Sequence, residues 1–365
     1  MHRTYKGAII GSTGRGNYGH GLDIAFNDHP AITVVAVADP DPAGRAAAQL
    51  RCHAPRAYAD YREMLSRERP DVVAVGPRWT DARHAMVRAA LESGAHVYCE
   101  KPFTATLAEA DDLIAFADRR HLKIAVAHQT RLNPGTLFLK QQLDTGLIGD
   151  LLEIRITGKQ DQRAGGEDMI AEANHQFGLA RFCAGDALWC AARVNQRGRE
   201  ATVADIHPAS EGIGPVLGDE IAAAFAFPGG VNVSYTSRVG YHETGGPYGM
   251  MWVGSRGVVR MFNGFIPRIS RRELRPAARG GETEAWLALP GDPEQGLPDG
   301  PEVRAAANRR LVDDLLAAIE QDREPASSGR AAMRAIEMSH AVFASALAGG
   351  RVALPLKNRR HPLEM

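Results

Sequence analysis

Cysteine is scarce in this sequence, and the few cysteines are not arranged in pairs. Cys52, Cys99, Cys183 and Cys190 form no Cys-x-x-Cys motif, so the pattern indicates neither a zinc ribbon nor a disulfide framework. Long apolar runs are also missing, since no stretch approaches the length that spans a bilayer. Residues 1–6 lead directly into a strand-like run without the apolar region of a signal peptide. We therefore expect a cytoplasmic protein with no membrane partner.

The sequence also lacks an excess of charge of either sign. Its 43 Lys and Arg residues balance 43 Asp and Glu residues, which leaves no electrostatic footprint for nucleic acid. A hydrophobic content of 44% and a charged content of 24% are ordinary for a globular protein. The 365 residues are most naturally divided between two domains.

A glycine-rich turn directly follows the first apolar run, residues 7–10. Gly14, Gly16 and Gly19 form a literal G-x-G-x-x-G motif. Glycines at such a turn permit positive φ angles and let backbone amides approach a pyrophosphate at a helix N-terminus. The motif alone is weak evidence because the chain contains 38 glycines, so its context decides.

The context is a second apolar run, residues 32–38, which ends at Asp39. An acid about 20 residues beyond the glycines is placed to accept the adenosine ribose hydroxyls. The alternative role, a helix cap, is already provided by Asp41 before a first-turn proline. Because Pro40 follows Asp39, no Arg or Ser stands there to receive a 2′-phosphate, which favours NAD over NADP. Arg15 and Arg45 remain possible phosphate partners.

Short apolar strands and amphipathic helices alternate through the first third of the chain. Strands are predicted at residues 71–75, 96–99 and 123–127, with helices from about residues 81 and 106 between them. This alternation is typical of α/β proteins with a doubly wound parallel sheet. We assign residues 1–128 to a Rossmann-type nucleotide-binding domain and residues 129–365 to a second α+β domain, whose C-terminal helices can pack back on the first.

Residues 90–102 end in Glu100-Lys101-Pro102 at the end of a predicted buried strand. A Lys-Pro bond there is a candidate cis peptide. Together with the glycine turn, Asp39 and residues 72–77, this segment resembles the Gfo/Idh/MocA (glucose–fructose oxidoreductase/inositol dehydrogenase) oxidoreductases. The resemblance implies a C-terminal domain with a large, mostly antiparallel mixed sheet, which the strand-like segments at 151–157 and 220–262 suit. It also implies a homodimer or homotetramer.

The resemblance further implies the roles of the segment's residues. Lys101 would lie beside the nicotinamide and hydrogen-bond the reacting hydroxyl, while Glu100 would lie near the nicotinamide ribose. An ammonium near a developing alkoxide is a physically reasonable proton-handling group. The predicted cofactor contacts are Gly11, Thr13, Gly14, Arg15, Gly16, Asp39, Pro77, Arg78, Glu100 and Lys101.

A predicted helix over residues 168–182 carries the second half of the candidate site. His175 fits the family's catalytic histidine, but Ala171 and Gly178 stand where the family has aspartates. Asp168, Glu172 and His175 share one helix face and could form a proton relay, with Glu172 and His175 catalytic. Equally, Asp168 could cap the helix and Glu172 could be solvated. A metal site is disfavoured because no His-rich spacing supports one.

The substrate contacts are less well determined by the sequence. Trp79, Arg131, Asp168 and His175 are predicted to bind substrate. Arg83 occupies a position where many relatives carry a histidine, and His84 follows it. Residues 290–301 are rich in Pro, Gly and acids and are predicted to form a mobile surface loop, which could act as a lid. Further candidate contacts are Arg83, His84, Glu167 and His242.

Three functions are compatible with these residues. The leading one is an NAD-dependent oxidoreductase that transfers hydride from a carbinol carbon of a sugar, cyclitol or related polyol while His175, assisted by Lys101, accepts the hydroxyl proton. The loss of acids at Ala171 and Gly178 motivates a second, redox-cycling glycoside cleavage or epimerisation with bound NAD. The third is a catalytically silent nucleotide-binding sensor.

Overall fold

The protein is described by a computed structural model that covers residues 4–240, 248–262, 268–273, 286–298 and 300–364. It divides into two compact units, each built from separate stretches of chain. The first unit contains Met1–Gln129, Pro208–Gly214 and Pro301–Met333, and the second contains Thr130–His207, Pro215–Gly300 and Arg334–Met365. The division into domains at residues 128 and 129 stays a prediction.

The first 129 residues alternate strands with helices, as the apolar periodicity predicts. Asp41 caps the first helix by accepting the amide of Gly44 at 2.6 Å, and Thr106 with Glu109 forms the predicted capping box. The elements are β1 (Tyr5–Ile10), β2 (Ile32–Ala38), α1 (Pro42–Arg51), β3 (Arg56–Tyr58), α2 (Tyr61–Glu68), β4 (Val72–Val75), α3 (Arg83–Glu92), β5 (His96–Cys99), α4 (Leu107–Arg119) and β6 (Ile124–Val126).

These six strands form one parallel sheet in the order β3-β2-β1-β4-β5-β6. This is the strand order of a Rossmann-type sheet, and it confirms the predicted fold of the first domain. All four residues of β4 are buried, because helices cover both faces of such a sheet. The carboxyl ends of β1, β2, β4 and β5 meet at one edge, which therefore collects Gly11, Asp39, Gly76 and Glu100.

The chain after β1 does not form the helix that commonly follows a glycine-rich turn of this kind. Residues 11–29 make a series of turns instead. Six residues in this stretch have φ angles between 52° and 85°, which a right-handed helix cannot include. Any phosphate bound here would therefore meet individual backbone amides rather than a helix N-terminus. The six are Gly14, Gly16, Asn17, Gly19, Gly21 and Asp28.

The rest of the chain is dominated by strands. The elements are α5 (Pro134–Asp144), β7 (Leu151–Thr157), α6 (Gly166–Ala171), α7 (Ala173–Ala184), β8 (Trp189–Gln196), β9 (Arg199–Glu200), β10 (His207–Pro208), β11 (Pro215–Val216), β12 (Glu220–Ala226), β13 (Asn232–Arg238), β14 (Gly249–Gly254), β15 (Gly257–Phe262), β16 (Arg268–Glu273), β17 (Leu287–Ala288), α8 (Pro301–Glu320), α9 (Gly329–Ala348) and β18 (Val352–Ala353).

Among the described residues, ten of these strands form the sheet of the second unit. Nine follow the order β17-β16-β15-β14-β7-β13-β12-β8-β18, and β9 pairs with β8. β7 and β13 run parallel, whereas the neighbouring pairs on either side are antiparallel. The sheet is thus mixed and mostly antiparallel, which confirms the predicted fold class. Over the same described ranges, no helix has the length and apolarity needed to cross a membrane.

The single helix predicted over residues 168–182 is wrong. Glu172 has φ −119° and ψ −38° and separates α6 from α7. The helical spacing that placed Asp168, Glu172 and His175 on one face therefore does not continue across Glu172.

The segment 290–301 was predicted to be a mobile surface loop, yet it contains a buried acid. Glu294 is only 6% exposed, and its carboxylate accepts the amide of Gly135 at 2.9 Å, within the first turn of α5. A carboxylate at a helix N-terminus is favourable because free amides and the helix dipole meet it there. The segment is therefore anchored at Glu294, and a role as a lid stays a prediction.

Helix α8 belongs to the first unit and is fastened to its sheet by Asn308. The Asn308 amide oxygen accepts the hydroxyl of Tyr98 at 2.8 Å and the amide of Gln129 at 3.2 Å, while its nitrogen donates to the carbonyl of His20 at 2.9 Å. An apolar stripe of α8 is buried at Leu311, Val312, Leu315 and Leu316.

Candidate active site

The Glu100-Lys101-Pro102 segment emerges from β5 at the carboxyl edge of the parallel sheet. Glu100 is fully buried and Lys101 is 8% exposed. The Lys101–Pro102 peptide bond is cis, which confirms the sequence-based expectation. A buried acid and a nearly buried amine thus stand side by side where ligands bind in open α/β sheets.

Glu100 connects this segment to the glycine-rich turn. Its carboxylate is paired with the Nδ1 atom of His20 and accepts the backbone amides of His20 at 3.2 Å and Lys101 at 3.0 Å. Burial alone would raise the pKa of the Glu100 carboxyl, but His20, Lys101 and Arg83 outweigh it and lower that pKa. Glu100 is therefore a carboxylate at neutral pH. A side chain on Gly19 would overlap it, at 2.7 Å from its Cγ atom.

Arg83 and His84 have separate environments. Arg83 is fully buried and donates hydrogen bonds to backbone carbonyls of the loops that follow β4 and β5. His84 instead pairs through Nε2 with Asp112, at 2.9 Å on α4. Of the two, only Arg83 contacts the segment that carries Lys101.

Asp39 lies at the predicted position after β2 and is fully buried. Its carboxylate accepts the hydroxyl of Thr13 at 2.8 Å, the amide of Thr13 at 3.1 Å and the amide of Asp41 at 2.9 Å. Gly44 gives Thr13 room, because a Cβ there would lie 1.9 Å from its hydroxyl oxygen. The structure thus brings Asp39 and Thr13 together at the start of the turn.

Two arginines flank the glycine-rich turn, and each is paired with an acid. Arg15 is paired with Asp81 and lies over the Trp79 ring, 4.9 Å from its centroid. The guanidinium of Arg78 lies 3.4 Å from the carboxylate of Glu211. Both arginines are partly exposed, with side-chain exposures of 55% and 37%.

A short segment from later in the chain, Pro208–Gly214, packs on the loop formed by residues 77–81. We call this segment the strap. The carbonyl of Gly212 accepts the amide of Thr80 at 2.8 Å. A Cβ on Gly212 would lie 2.4 Å from the Trp79 ring, so the indole rests directly on the strap backbone. The strap, the 77–81 loop and the glycine-rich turn are therefore stacked in that order, since the amide of Arg78 also donates to the carbonyl of Gly16 at 3.2 Å.

These residues suit a dinucleotide. Gly14, at the tip of the turn, has φ +82°, and nothing lies within 4 Å of the Cβ that it lacks, so a phosphate could approach its backbone. Arg15 and Arg78 are cations of the turn and of the loop beside it, and Asp39 lies where the sequence predicts the ribose acceptor. Gly11 has another role, because the space beside it is filled by the ring of Tyr18.

In the second unit, Asp168 forms the centre of a buried polar cluster. Its Oδ2 atom accepts the hydroxyl of Tyr235 at 2.6 Å and the amide of Lys159 at 2.9 Å. Burial raises the pKa of the Asp168 carboxyl to about 7, the charge of Glu172 adds to this, and the Tyr235 hydrogen bond opposes it. Such a group can gain or lose a proton near neutral pH. The Tyr235 hydroxyl, also buried, has its pKa raised well above its usual value.

Glu172 and His175 lie close to each other where α6 meets α7. The carboxylate of Glu172 lies 3.4 Å from the ammonium of Lys159, and its backbone carbonyl accepts the amide of His175 at 3.0 Å. His175 is 9% exposed in the first turn of α7. Arg131 stacks on Phe182, 3.3 Å from the ring centroid.

Several of these partners were not found by sequence reasoning. His20, Lys159 and Tyr235 carried no motif, and the strap lies more than 100 residues from the loop it covers. His242 falls outside the described residues. The roles assigned to individual site residues stay predictions. Within the described ranges, no three His, Cys, Asp or Glu side chains are grouped so that they could hold a metal ion.

Residues 5–128 match a family model described as an oxidoreductase family with an NAD-binding Rossmann fold. Among characterised proteins, D-apiose dehydrogenase of Paraburkholderia graminis is 26% identical and the alignment covers 96% of this chain and 90% of that protein. An inositol 2-dehydrogenase/D-chiro-inositol 3-dehydrogenase of Shouchella clausii is 40% identical, but over only 27% of this chain and 28% of its own length.

Among solved structures, a levoglucosan dehydrogenase in complex with NADH and levoglucosan superposes with a TM-score of 0.76. The match covers 97% of this chain and 100% of that one at 19% sequence identity. At this identity the likeness shows a shared fold over the whole chain.

Proposed function

Because residues 5–128 match the Gfo/Idh/MocA oxidoreductase family model, we propose that the chain transfers a hydride between NAD and a carbinol carbon of a sugar, cyclitol or related polyol. The names of its relatives support this substrate class, since they specify D-apiose, inositol and levoglucosan. Homo-oligomeric assembly, a cytoplasmic location and independence from nucleic acid stay predictions from the sequence.

The observation that carries the proposal is the buried Glu100–Lys101 pair beside the glycine-rich turn. NAD supplies the hydride acceptor when it is bound. Gly14, Arg15, Arg78 and Asp39 would hold its phosphates and adenosine ribose. The ammonium of Lys101 would donate a hydrogen bond to the substrate hydroxyl, which becomes more acidic as hydride leaves its carbon.

His175 is the proposed acceptor of the hydroxyl proton, because a neutral imidazole can take a proton near pH 7. Without an aspartate at Ala171 or Gly178, the nearby acids are Glu172 and Asp168. We propose that Asp168 binds the substrate. We propose that Glu172, paired with Lys159, adjusts the charge around His175.

The first prediction concerns Lys101 and His175. Incubating the protein with NAD and a panel of sugars and cyclitols should produce reduced cofactor, measured by its absorbance. Lys101→Ala should lower kcat/KM by about 10²- to 10⁴-fold, the usual size of a general acid–base contribution, and His175→Ala by a similar factor. Full turnover by Lys101→Ala would contradict the mechanism. Lys123→Ala, which removes a lysine paired with Asp322 at 2.7 Å, is the matched control and should be neutral.

A second candidate function, redox-cycling cleavage or epimerisation with retained NAD, is favoured by one observation. Burial raises the pKa of the Asp168 carboxyl to about 7, so this group could protonate a leaving group, for which a plain dehydrogenase has no need. With NAD at catalytic concentration, this function predicts product without net cofactor reduction. Reduced cofactor formed in equal amount to the product would instead support the simple dehydrogenase.

A further inference from the structure

Arg83 is the most deeply buried cation among the described residues near the candidate site, and its guanidinium does not form an ion pair at the surface. Its side chain is fully buried at the start of α3. A buried charge is costly unless hydrogen bonds satisfy it, so its position requires specific partners. Those partners indicate what the residue does.

The Arg83 guanidinium donates to three backbone carbonyls. They belong to Pro77, in the loop after β4, and to Glu100 and Pro102, in the loop after β5; the bond to Pro102 is 2.8 Å long. Glu100 and Pro102 are the residues on either side of Lys101. Arg83 is thus hydrogen-bonded to the backbone immediately before and after Lys101 and links this backbone to the loop that follows β4.

The nearby carboxylate of Glu100 does not compete with these carbonyls for the Arg83 guanidinium. The Glu100 carboxylate is occupied by His20 and by the amide of Lys101, so the contact between Arg83 and Glu100 is made through the Glu100 carbonyl. The planar guanidinium has five N–H donors in a fixed geometry, which suits three carbonyls better than a single ammonium does.

We propose that Arg83 is a positioning residue that fixes Lys101 for the nicotinamide half of the bound dinucleotide, while the adenosine half is held independently by the glycine-rich turn and Asp39. The proposal rests on the proposed function for the identity of the ligand. The positioning proposal goes beyond the proposed function because it assigns the placement of Lys101 at the nicotinamide end to Arg83.

The experiment compares two probes, NADH and ADP-ribose, which share the adenosine and pyrophosphate groups but differ in the nicotinamide. Their affinities for the wild type and for Arg83→Met and Arg83→Lys are measured by titration calorimetry. Arg83→Met should weaken NADH binding by roughly 10- to 100-fold, the range expected for loss of a hydrogen bond to a charged group. Its ADP-ribose affinity should change by less than about threefold, and Arg83→Lys should recover part of the NADH affinity.

Arg88→Met is the matched control, because Arg88 lies on the same helix but pairs with Asp112 at its surface. It should leave both affinities unchanged. Equal losses for NADH and ADP-ribose in Arg83→Met, together with a lower unfolding midpoint, would assign Arg83 a merely structural role and overturn the proposal. Unchanged NADH affinity would also overturn it.

The outcome is separable from that of the proposed function. A wild type that binds NADH but oxidises no polyol would refute the proposed reaction, yet the comparison of NADH with ADP-ribose would still decide the role of Arg83. A wild type that binds neither probe would overturn the positioning proposal along with the cofactor on which it rests.

Discussion

The carboxyl group of Asp168 has a different protonation behaviour in the folded and unfolded protein. Burial raises its pKa to about 7 in the folded state, whereas an unfolded Asp has a pKa near 3.9. Between these two values the folded state binds more protons than the unfolded state. The stabilising contribution of the protonated carboxyl is therefore complete below about pH 4 and is lost as the pH rises through 7.

Asp168→Asn should remove this pH dependence, because an amide is neutral throughout and keeps an oxygen to accept the Tyr235 hydroxyl. The free energy of unfolding of the variant, relative to the wild type, should rise by roughly 2–4 kcal/mol between pH 4.5 and 8, as a shift of about three pKa units implies. Urea unfolding at pH 4.5, 6 and 8 measures it. A difference that stays constant with pH would contradict the assignment.

Asp161 provides the matched control of opposite sign. Burial disfavours its charged form, but hydrogen bonds from Arg163 outweigh burial and lower its pKa. Its stabilising contribution is therefore present above the unfolded pKa and is lost on acidification. Asp161→Asn should destabilise the protein at pH 8 and become neutral in acid, the reverse of the trend at Asp168.

At the scale of single residues, the sequence predicts which residues stand at the candidate site better than it predicts what surrounds each of them. Asp39 and Lys101 follow apolar strands. Their position at the carboxyl edge of the parallel sheet could therefore be predicted from the sequence. The protonation state of Asp168 was not predictable, because its pKa depends first on burial and then on a hydrogen bond from Tyr235, which is 67 residues away in the sequence. Arg83 was predicted only as a further candidate substrate contact, since the backbone carbonyls that accept its hydrogen bonds carry no sequence signal.

At the scale of elements, the strap depends on one glycine. Gly212 has an ordinary φ angle, so its small size rather than its backbone freedom is what the Trp79 ring requires. Gly212→Ala should displace the indole and loosen the hydrogen bond from the Thr80 amide to the Gly212 carbonyl.

The expected result is a shift in tryptophan emission and at least about tenfold faster hydrogen exchange at the Thr80 amide, as loss of ~1.4 kcal/mol of local stability would give. Gly178→Ala is the control, because nothing lies within 4 Å of the added Cβ. Thr80 exchange that matches the wild type in Gly212→Ala would show that the strap does not depend on this contact.

The strands were predictable because each is a short apolar or alternating run between turns. β2, β5 and β7 have the predicted bounds. The failure of the helix predicted over residues 168–182 has a local cause, the irregular backbone at Glu172. Periodicity reports which face is apolar but does not report where the backbone leaves the helical region.

At the scale of the whole chain, the first unit is not continuous in sequence. It contains Pro301–Met333 in addition to Met1–Gln129, and Asn308 of α8 is hydrogen-bonded to Tyr98, Gln129 and His20. A fragment of residues 1–129 should therefore be poorly folded, because the surface that α8 covers is exposed. The same fragment joined through a Gly/Ser linker to residues 301–333 should unfold cooperatively in urea.

Asn308→Ala in the joined fragment tests the role of the amide itself. It leaves the buried hydroxyl of Tyr98 without its acceptor and should lower the free energy of unfolding by about 1–3 kcal/mol. Circular dichroism across a urea series measures both effects. A 1–129 fragment that unfolds as cooperatively as the joined form would show that α8 is dispensable for the first unit.

The discontinuous first unit also sets an order of events during synthesis on the ribosome. Gln129 and Met333 are separated by about 200 residues, which take roughly 10–40 s to translate at typical rates. Throughout that interval the sheet of the nascent nucleotide-binding unit lacks α8, and the apolar surface that this helix covers stays open to chaperones. The part of the protein that is made first is therefore among the last to be completed.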